Sequence, residues 1–391
     1  MQAFRVSAEI NFENLRHNLK IIRDLSQGAK IMAMVKGNAY GHGMVTVAKH
    51  LRDVDYFGVV GIEAAMALRH SGVIQPIVLS TGFQTLQELE LMLEHHIDTV
   101  IFDMGQIFLI QKFLKNLQDK NKDKNQKIYL LKTWLKLDTG MHRLGFPAQD
   151  LKLVQEAFEN LEKLKSDNLI SEILFMTHFA NADQEESLSV KNQLEKFLKI
   201  TEIFSQSQLN THQFLKSAAN SGAVLNYPEA CLDIVRPGLM LYGVSPSYQI
   251  YPKNKLNLNL KPLMTLKSKI ISLHTLNIGE RVGYGSSWKA LRETKLAVIS
   301  IGYGDGYPQH AKEGTPVLIH GQKAYLAGRV SMDSITVDIT DIQNNCAIGD
   351  EVILWGENLP IEEVAYFMGV SVYALLTGVT SRVTMEMREL E

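Results

Sequence analysis

Chemistry is most visible in the stretch Val35-Lys36-Gly37-Asn38-Ala39-Tyr40-Gly41-His42-Gly43, where a lysine closes an apolar run and three glycines follow it. An amine that loses water at the end of a buried strand shifts towards its neutral form, the form that condenses with a carbonyl to a Schiff base. The glycines let backbone approach a ligand closely. A solitary strand-end lysine usually snorkels its charge to solvent, so Lys36 needs partners to mean anything. The chain offers Arg143, His178 at the end of another apolar run, Ser221, Arg236 before Pro237-Gly238, and Tyr284 between two glycines. Each has an ordinary explanation alone: a surface ion pair for Arg236, a satisfied polar group for His178, a turn aromatic for Tyr284. Tyr303 and Tyr307, in another glycine-rich turn, show how common such tyrosines are.

These residues need elements to hold them. Ile31–Val35 is continuously apolar, the pattern of a parallel strand buried on both faces. Similar runs recur near 56–60, 76–80, 98–102, 129–137, 173–178, 212–217 and 233–236, eight in all. Helical stretches separate most of them. Leu15, Leu19 and Ile22 share one face of the first helix, with Asn11 as its cap and Gly28 as its end. Thr85–His95 and Leu151–Leu164 carry the same periodicity. The rhythm predicts an N-terminal (β/α)8 TIM-type barrel over residues 1–243, with Lys36, His178 and Arg236 at strand ends, where barrel active sites are built. Residues 244–391 read as a mostly β second domain, after a junction rich in Pro, Asn, Ser and Lys at Val244–Leu260. Strands are expected over 295–302, 315–319, 323–327, 334–339 and 351–355, with a hairpin turn at His320-Gly321-Gln322 and a short helix over Pro360–Met368 with Pro360 at its first position. Asn116–Lys127 reads as an exposed polar loop.

The motifs together resemble those of alanine racemases. The Lys36 segment matches the family's cofactor-lysine motif, whose commonest form has Ala where this chain has Gly37. Lys136-Leu137-Asp138-Thr139-Gly140-Met141-His142-Arg143-Leu144-Gly145, Ala219-Asn220-Ser221, Val235-Arg236-Pro237-Gly238, Arg281-Val282-Gly283-Tyr284-Gly285 and Gly328-Arg329-Val330-Ser331-Met332-Asp333 follow in the family's order across nearly the whole chain.

The resemblance implies a pyridoxal 5'-phosphate enzyme that interconverts L- and D-alanine and supplies D-alanine for peptidoglycan. Lys36 would hold the cofactor and act as the base for the D-alanine proton. Tyr284 would be the opposite base, for the L-alanine proton, reaching in from the other subunit of a homodimer. A free phenol ionises only near pH 10, so it would need help from neighbours. Arg236 would face the pyridine nitrogen and His178 the ring. Ser221, Tyr40 and the backbone amides of Gly238 and Leu239 would hold the phosphate. Arg143 would serve the cofactor oxygen and the substrate carboxylate, and the Met332 N–H that carboxylate too. A tyrosine matching Tyr303 lines the substrate entrance in the family, and Lys136 matches a position carbamylated in some members. Ser381 stands before Arg382-Val383 where several members have tyrosine, a departure that bears on one phosphate contact and one wall of the substrate gate.

Composition bounds the alternatives. Lys plus Arg is 40 and Asp plus Glu is 42, a net charge of −2 that offers no polyanion surface. Two cysteines, Cys231 and Cys346, make no disulfide framework. With no leader pattern and no bilayer-length apolar run, a cytoplasmic, non-membrane protein is expected. No zinc-type ligand spacing is present, so no metal is expected. Gly302-Tyr303-Gly304-Asp305-Gly306 lacks the strand-to-helix context of a dinucleotide motif. Two rivals share the barrel and the lysine. A broader amino-acid racemase or a basic-amino-acid decarboxylase is one, and Arg236 argues against decarboxylation, which wants a strong electron sink. A non-catalytic cofactor-binding barrel is the other, and the second domain with Tyr284 and Met332 argues against it.

Overall fold

The structure, a computed structural model, describes residues 5–120, 129–206, 214–247 and 258–388. Two compact units make up the chain. One comprises Lys20–Ala39 and Met44–Gly238, the other Met1–Leu19, Tyr40–Gly43 and Leu239–Glu391.

The first unit is the expected parallel barrel. Its strands run in the order Ile234–Val235, Lys30–Met34, Tyr56–Val59, Ile77–Leu79, Ile97–Ile101, Leu131–Asp138, Ile170–Met176 and Lys216–Ser217. A parallel bridge between Asn220 and Arg236 joins the two ends of this ladder. Helices connect successive strands, among them Leu86–Glu94, capped by a reciprocal Thr85–Glu88 box, and Leu151–Ser166, capped by Asp150. Met32, Tyr56, Val78, Val100, Trp134, Leu174, Met176 and Ile234 fill the interior, and Tyr56 meets Trp134 edge-on at 5.6 Å. Asn116–Lys120 is not loop, as the polar composition suggested, but the end of the helix Met104–Lys120. Apolar residues earlier in that helix, Ile107 and Ile110, bury and carry the polar turn with them. The remainder of the expected loop, 121–128, lies outside the described residues, as do 212–213 of the seventh strand run.

Asp98 is the oddity of this barrel. It is 1% exposed. Its Oδ1 accepts the Tyr129 hydroxyl at 2.9 Å and the Lys132 N–H at 3.0 Å, while Oδ2 has no partner among the described residues. Burial outweighs those two bonds and pushes the carboxyl up to about 6. A folded pKa above the unfolded one gives stability that is full below about pH 4 and lost as pH rises through about 6. Asp98→Asn is therefore expected to abolish a stability difference of about 2 kcal/mol between pH 4 and 7. Urea midpoints across that range check it, and an unchanged slope would count against it.

The second unit is mostly β. Thr294–Ile299, Ile335–Asp338, Gln322–Leu326, Pro316–Ile319, Glu351–Trp355 and Met264–Leu276 pair in that order. Met264–Leu276 pairs again with Thr294–Ile299, which closes the circuit, and shifts register between Leu266 and Lys267 and between Ile270 and Ser272. Ser7–Asn11 adds antiparallel to the same long strand, and Thr384–Arg388 adds parallel to Ser7–Asn11. The hairpin turn forms at His320 and Gly321, both with positive φ (50° and 73°). The helix expected over Pro360–Met368 spans Ile361–Met368, with Pro360 one place earlier than expected, as its N-cap. No described helix is long and apolar enough to cross a membrane.

Candidate active site

Strand periodicity places the barrel residues. Side chains two apart share a face, so Lys36 follows the inward Met32 and Met34, Lys136 follows Trp134, His178 follows Leu174 and Met176, and Arg236 follows Ile234. Each is the next inward position beyond a core residue, at the C-terminal end of its strand. The register agrees, with Lys136 opposite Met176 and Met176 opposite Ser217.

Arg236, 5% exposed, is the most constrained of them. One terminal nitrogen donates to the Ser217 hydroxyl at 2.5 Å. The other donates to the Thr177 carbonyl at 2.6 Å and the Ala218 carbonyl at 3.1 Å, and lies 3.3 Å from His178 Nδ1. Among the described residues none of these bonds uses Nε–H, which leaves that guanidinium donor for an outside acceptor. Burial lowers Arg236 to about 10, so it stays charged at neutral pH. The neighbours feel that charge. His178 is held well below its ordinary value by burial and then by Arg236, and is neutral at pH 7. Lys136 falls to about 8 through burial and the charges of Arg236, Arg143 and Lys36, against the pull of Asp138. Lys36 is lowered by burial and by Arg143 and Arg236. Four basic side chains thus crowd one barrel mouth, a place built for an anion and for a neutral amine.

Two loops carry the rest. After Lys36, Gly37, Asn38, Ala39 and Tyr40 all take left-handed φ of 52° to 60°. Ala39 and Tyr40 pay steric strain there, the kind that clusters at functional sites. Asn38 Oδ1 caps the helix Met44–His50 through the Met44 N–H at 2.9 Å. After Lys136, the Asp138 carboxylate gathers the N–H groups of Gly140, Met141 and His142 at 3.0–3.1 Å, a tight loop that ends at Arg143. Ser221 and Gly238 meet, with the Gly238 N–H donating to Ser221 Oγ at 2.9 Å.

The remaining candidates lie in the other unit. The buried Tyr40 ring sits 4.7 Å from Tyr242 and 5.8 Å from Tyr373. Leu239 opens a 3-10 turn, Leu239–Tyr242. Tyr284 is 74% exposed and Met332 51% exposed. Gly283 and Gly285 flank Tyr284 at φ 71° and 72°, and the Arg329 guanidinium packs 3.4 Å from where a Gly285 Cβ would stand. Ser381 lies exposed in a turn.

A network unforeseen in the sequence joins the Tyr303 and Met332 turns. The Tyr303 N–H donates to the Ser331 carbonyl at 3.0 Å and the Gly304 N–H to the Met332 carbonyl at 2.9 Å. Asp305, buried beneath, accepts the Gly302 N–H at 3.0 Å and pairs with Arg5 and Arg382. Arg382 also pairs with Asp333 at 2.5 Å. Arg5 and Arg382 are almost the length of the chain apart, so no spacing rule could have linked them. Asp305→Ala leaves the buried Gly302 N–H without its acceptor, Arg5 without its carboxylate and Arg382 with Asp333 alone. It is expected to cost about 2–4 kcal/mol in a denaturant titration, below the full figure for a buried pair because both arginines are part exposed. A loss under about 1 kcal/mol would contradict this.

A closed parallel barrel with a lysine, neutral histidine and arginines at its strand ends, on a chain that continues into a closed β unit, defines a class of barrel enzymes with a Schiff-base-competent amine. Comparison with known proteins narrows it. Residues 10–246 match the family described as "Alanine racemase, N-terminal domain" and residues 263–387 "Alanine racemase, C-terminal domain". Alanine racemase of Coxiella burnetii (strain CbuK_Q154) is 40% identical over 382 residues, 97% of this chain and 98% of that protein. The biosynthetic alanine racemase from Pseudomonas aeruginosa superposes with a TM-score of 0.85 at 36% identity, covering 99% of this chain and 100% of that one. The alanine racemase from Bartonella henselae with covalently bound pyridoxal phosphate gives 0.82 at 28% identity, covering 98% and 99%. The chain belongs to the alanine racemase family.

Proposed function

We propose that this protein interconverts L- and D-alanine with pyridoxal 5'-phosphate as its cofactor. The observation that carries the reading is the cluster of Lys36, Lys136, Arg143 and Arg236 about one barrel mouth, where burial and the two arginine charges depress both lysines. The residues fit the cofactor. The unused Nε–H of Arg236 suits a ring acceptor, and the neutral His178 beside it adds no competing charge. Lys36 would carry the cofactor covalently, with Arg143, His178 and Arg236 about it and Tyr40, Ser221, Gly238 and Leu239 as phosphate donors. When bound, the cofactor supplies an electron sink that acidifies the α-proton of an attached amino acid.

The chain's own groups do the rest. Lys36 Nζ, biased towards its free amine, takes or returns the proton on the D-alanine face. Tyr284 Oη does the same on the L-alanine face. Arg143 and the Met332 N–H hold the carboxylate. Arg236 donates a hydrogen bond without giving up its proton. That setting favours proton exchange at carbon over decarboxylation or transamination.

Inversion needs a base on each face. Tyr284 and Met332 are exposed enough to meet a second chain, which suits a homodimer with shared sites. The division of labour follows residues 1–243 for cofactor binding and 244–391 for Tyr284 and Met332. A cytoplasmic enzyme that feeds D-alanine to peptidoglycan completes the reading.

Chiral chromatography tests it. Cofactor-loaded protein given pure L-alanine is expected to yield D-alanine until the two enantiomers, equal in free energy, are equally abundant. No D-alanine from loaded protein would refute the proposal.

A further inference from the structure

The second unit carries a constellation that the racemase reading leaves unused. His320 Nε2 lies 2.9 Å from Asp350 Oδ2. Ligand atoms of His320, Cys346 and Asp350 all fall within 4.8 Å of one another. Strand pairing assembles them. Ile319 pairs antiparallel with Val352, so the hairpin turn that follows Ile319 ends beside the residues that precede Val352. A tight turn then brings Cys346 back. The Asp350 N–H donates to the Ala347 carbonyl at 3.2 Å, and the Ala347 N–H donates to Asp350 Oδ2 at 2.7 Å. Backbone bonds between Ile270 and both Gly349 and Asp350 anchor the end of that turn to a central strand.

We infer that His320, Cys346 and Asp350 bind a divalent cation of the zinc class, with the remaining position open to water. Tetrahedral bonds of about 2.0–2.3 Å set ligand atoms about 3.3–3.8 Å apart, a span this cluster reaches by small side-chain rotations. Bound as thiolate, carboxylate and neutral imidazole, the three groups carry two negative charges and cancel a dication. The thiol proton leaves to solvent. One sulfur, one nitrogen and one oxygen suit a borderline ion and not calcium or magnesium, which want oxygen shells. His320 and Asp350 are partly exposed, so the ion has an entry path. Burial and the Asp350 charge hold the Cys346 thiol above its ordinary value and Lys295 acts in the other direction; a bound dication would favour the thiolate further. The sequence expectation of no metal site looked for ligand spacing along the chain. Here His320 and Cys346 meet only through strand pairing.

The test is equilibrium dialysis of the purified holoprotein against Zn2+, with Co2+ as optical probe. One Zn2+ per chain is expected, together with a near-ultraviolet thiolate-to-cobalt band. Cys346→Ser should abolish the band, and His320→Gln or Asp350→Asn should weaken binding by about tenfold or more. Racemisation should be unchanged in all three variants, so the site is judged apart from the catalytic reading. Absence of the band in wild-type protein, or a band and stoichiometry that survive Cys346→Ser, would overturn the inference.

Discussion

Lys36→Ala is expected to lower racemisation in both directions by at least about 10⁴-fold. A positioned base alone is worth roughly 10²–10⁴ in rate, and this lysine is also proposed to carry the cofactor, so both contributions go at once. Stability should not follow activity. Lys36 is held among Arg143 and Arg236, which disfavour its charge. Truncation relieves that repulsion, and the variant apoprotein should melt no lower than the wild-type apoprotein. The chiral assay, the visible absorbance of bound cofactor and thermal unfolding check the three parts separately. A variant that loses activity because it unfolds would contradict the account.

Tyr284→Phe should show the converse specificity. It removes one hydroxyl from a ring that is 74% exposed, so stability should change by no more than about 0.5 kcal/mol. Net racemisation should fall by about 10²–10⁴-fold, because inversion needs both faces served. Proton exchange on the Lys36 face should survive. In deuterated buffer D-alanine should still take up deuterium with retained configuration, while L-alanine should not. Equal loss of exchange from both enantiomers would show that Tyr284 is not the base of one face.

Much of this was legible in the chain because barrel strands advertise themselves. Ile31–Val35 and several of its counterparts, such as 56–60 and 76–80, are largely apolar, and the two-residue alternation from Met32 to Lys36, or from Ile234 to Arg236, carries the site residues inward without further information. Other features were hidden for physical reasons. Ser7–Asn11 and Thr384–Arg388 pair with each other from opposite ends of the chain; the first alternates over only five residues and the second does not alternate in burial at all. Met264–Leu276 breaks its own alternation at two register shifts and starts just after a polar junction. The Asp305 network and the His320 cluster depend on contacts that only tertiary pairing creates. The strained turn Gly37–Tyr40 was marked by its glycines, yet Asn38, Ala39 and Tyr40 also take the left-handed conformation, which no residue type there announced.

The central claim is that Lys36 and Tyr284 serve one substrate from two chains. Mixing inactive Lys36→Ala with inactive Tyr284→Phe protein, with exchange of subunits, tests it most directly. Random reassociation gives hybrid dimers in which one of two sites has both residues intact, so activity should return to about a quarter of the wild-type value. If both residues of a site came from one chain, every site would lack one of them, and the mixture would stay as inactive as its parents.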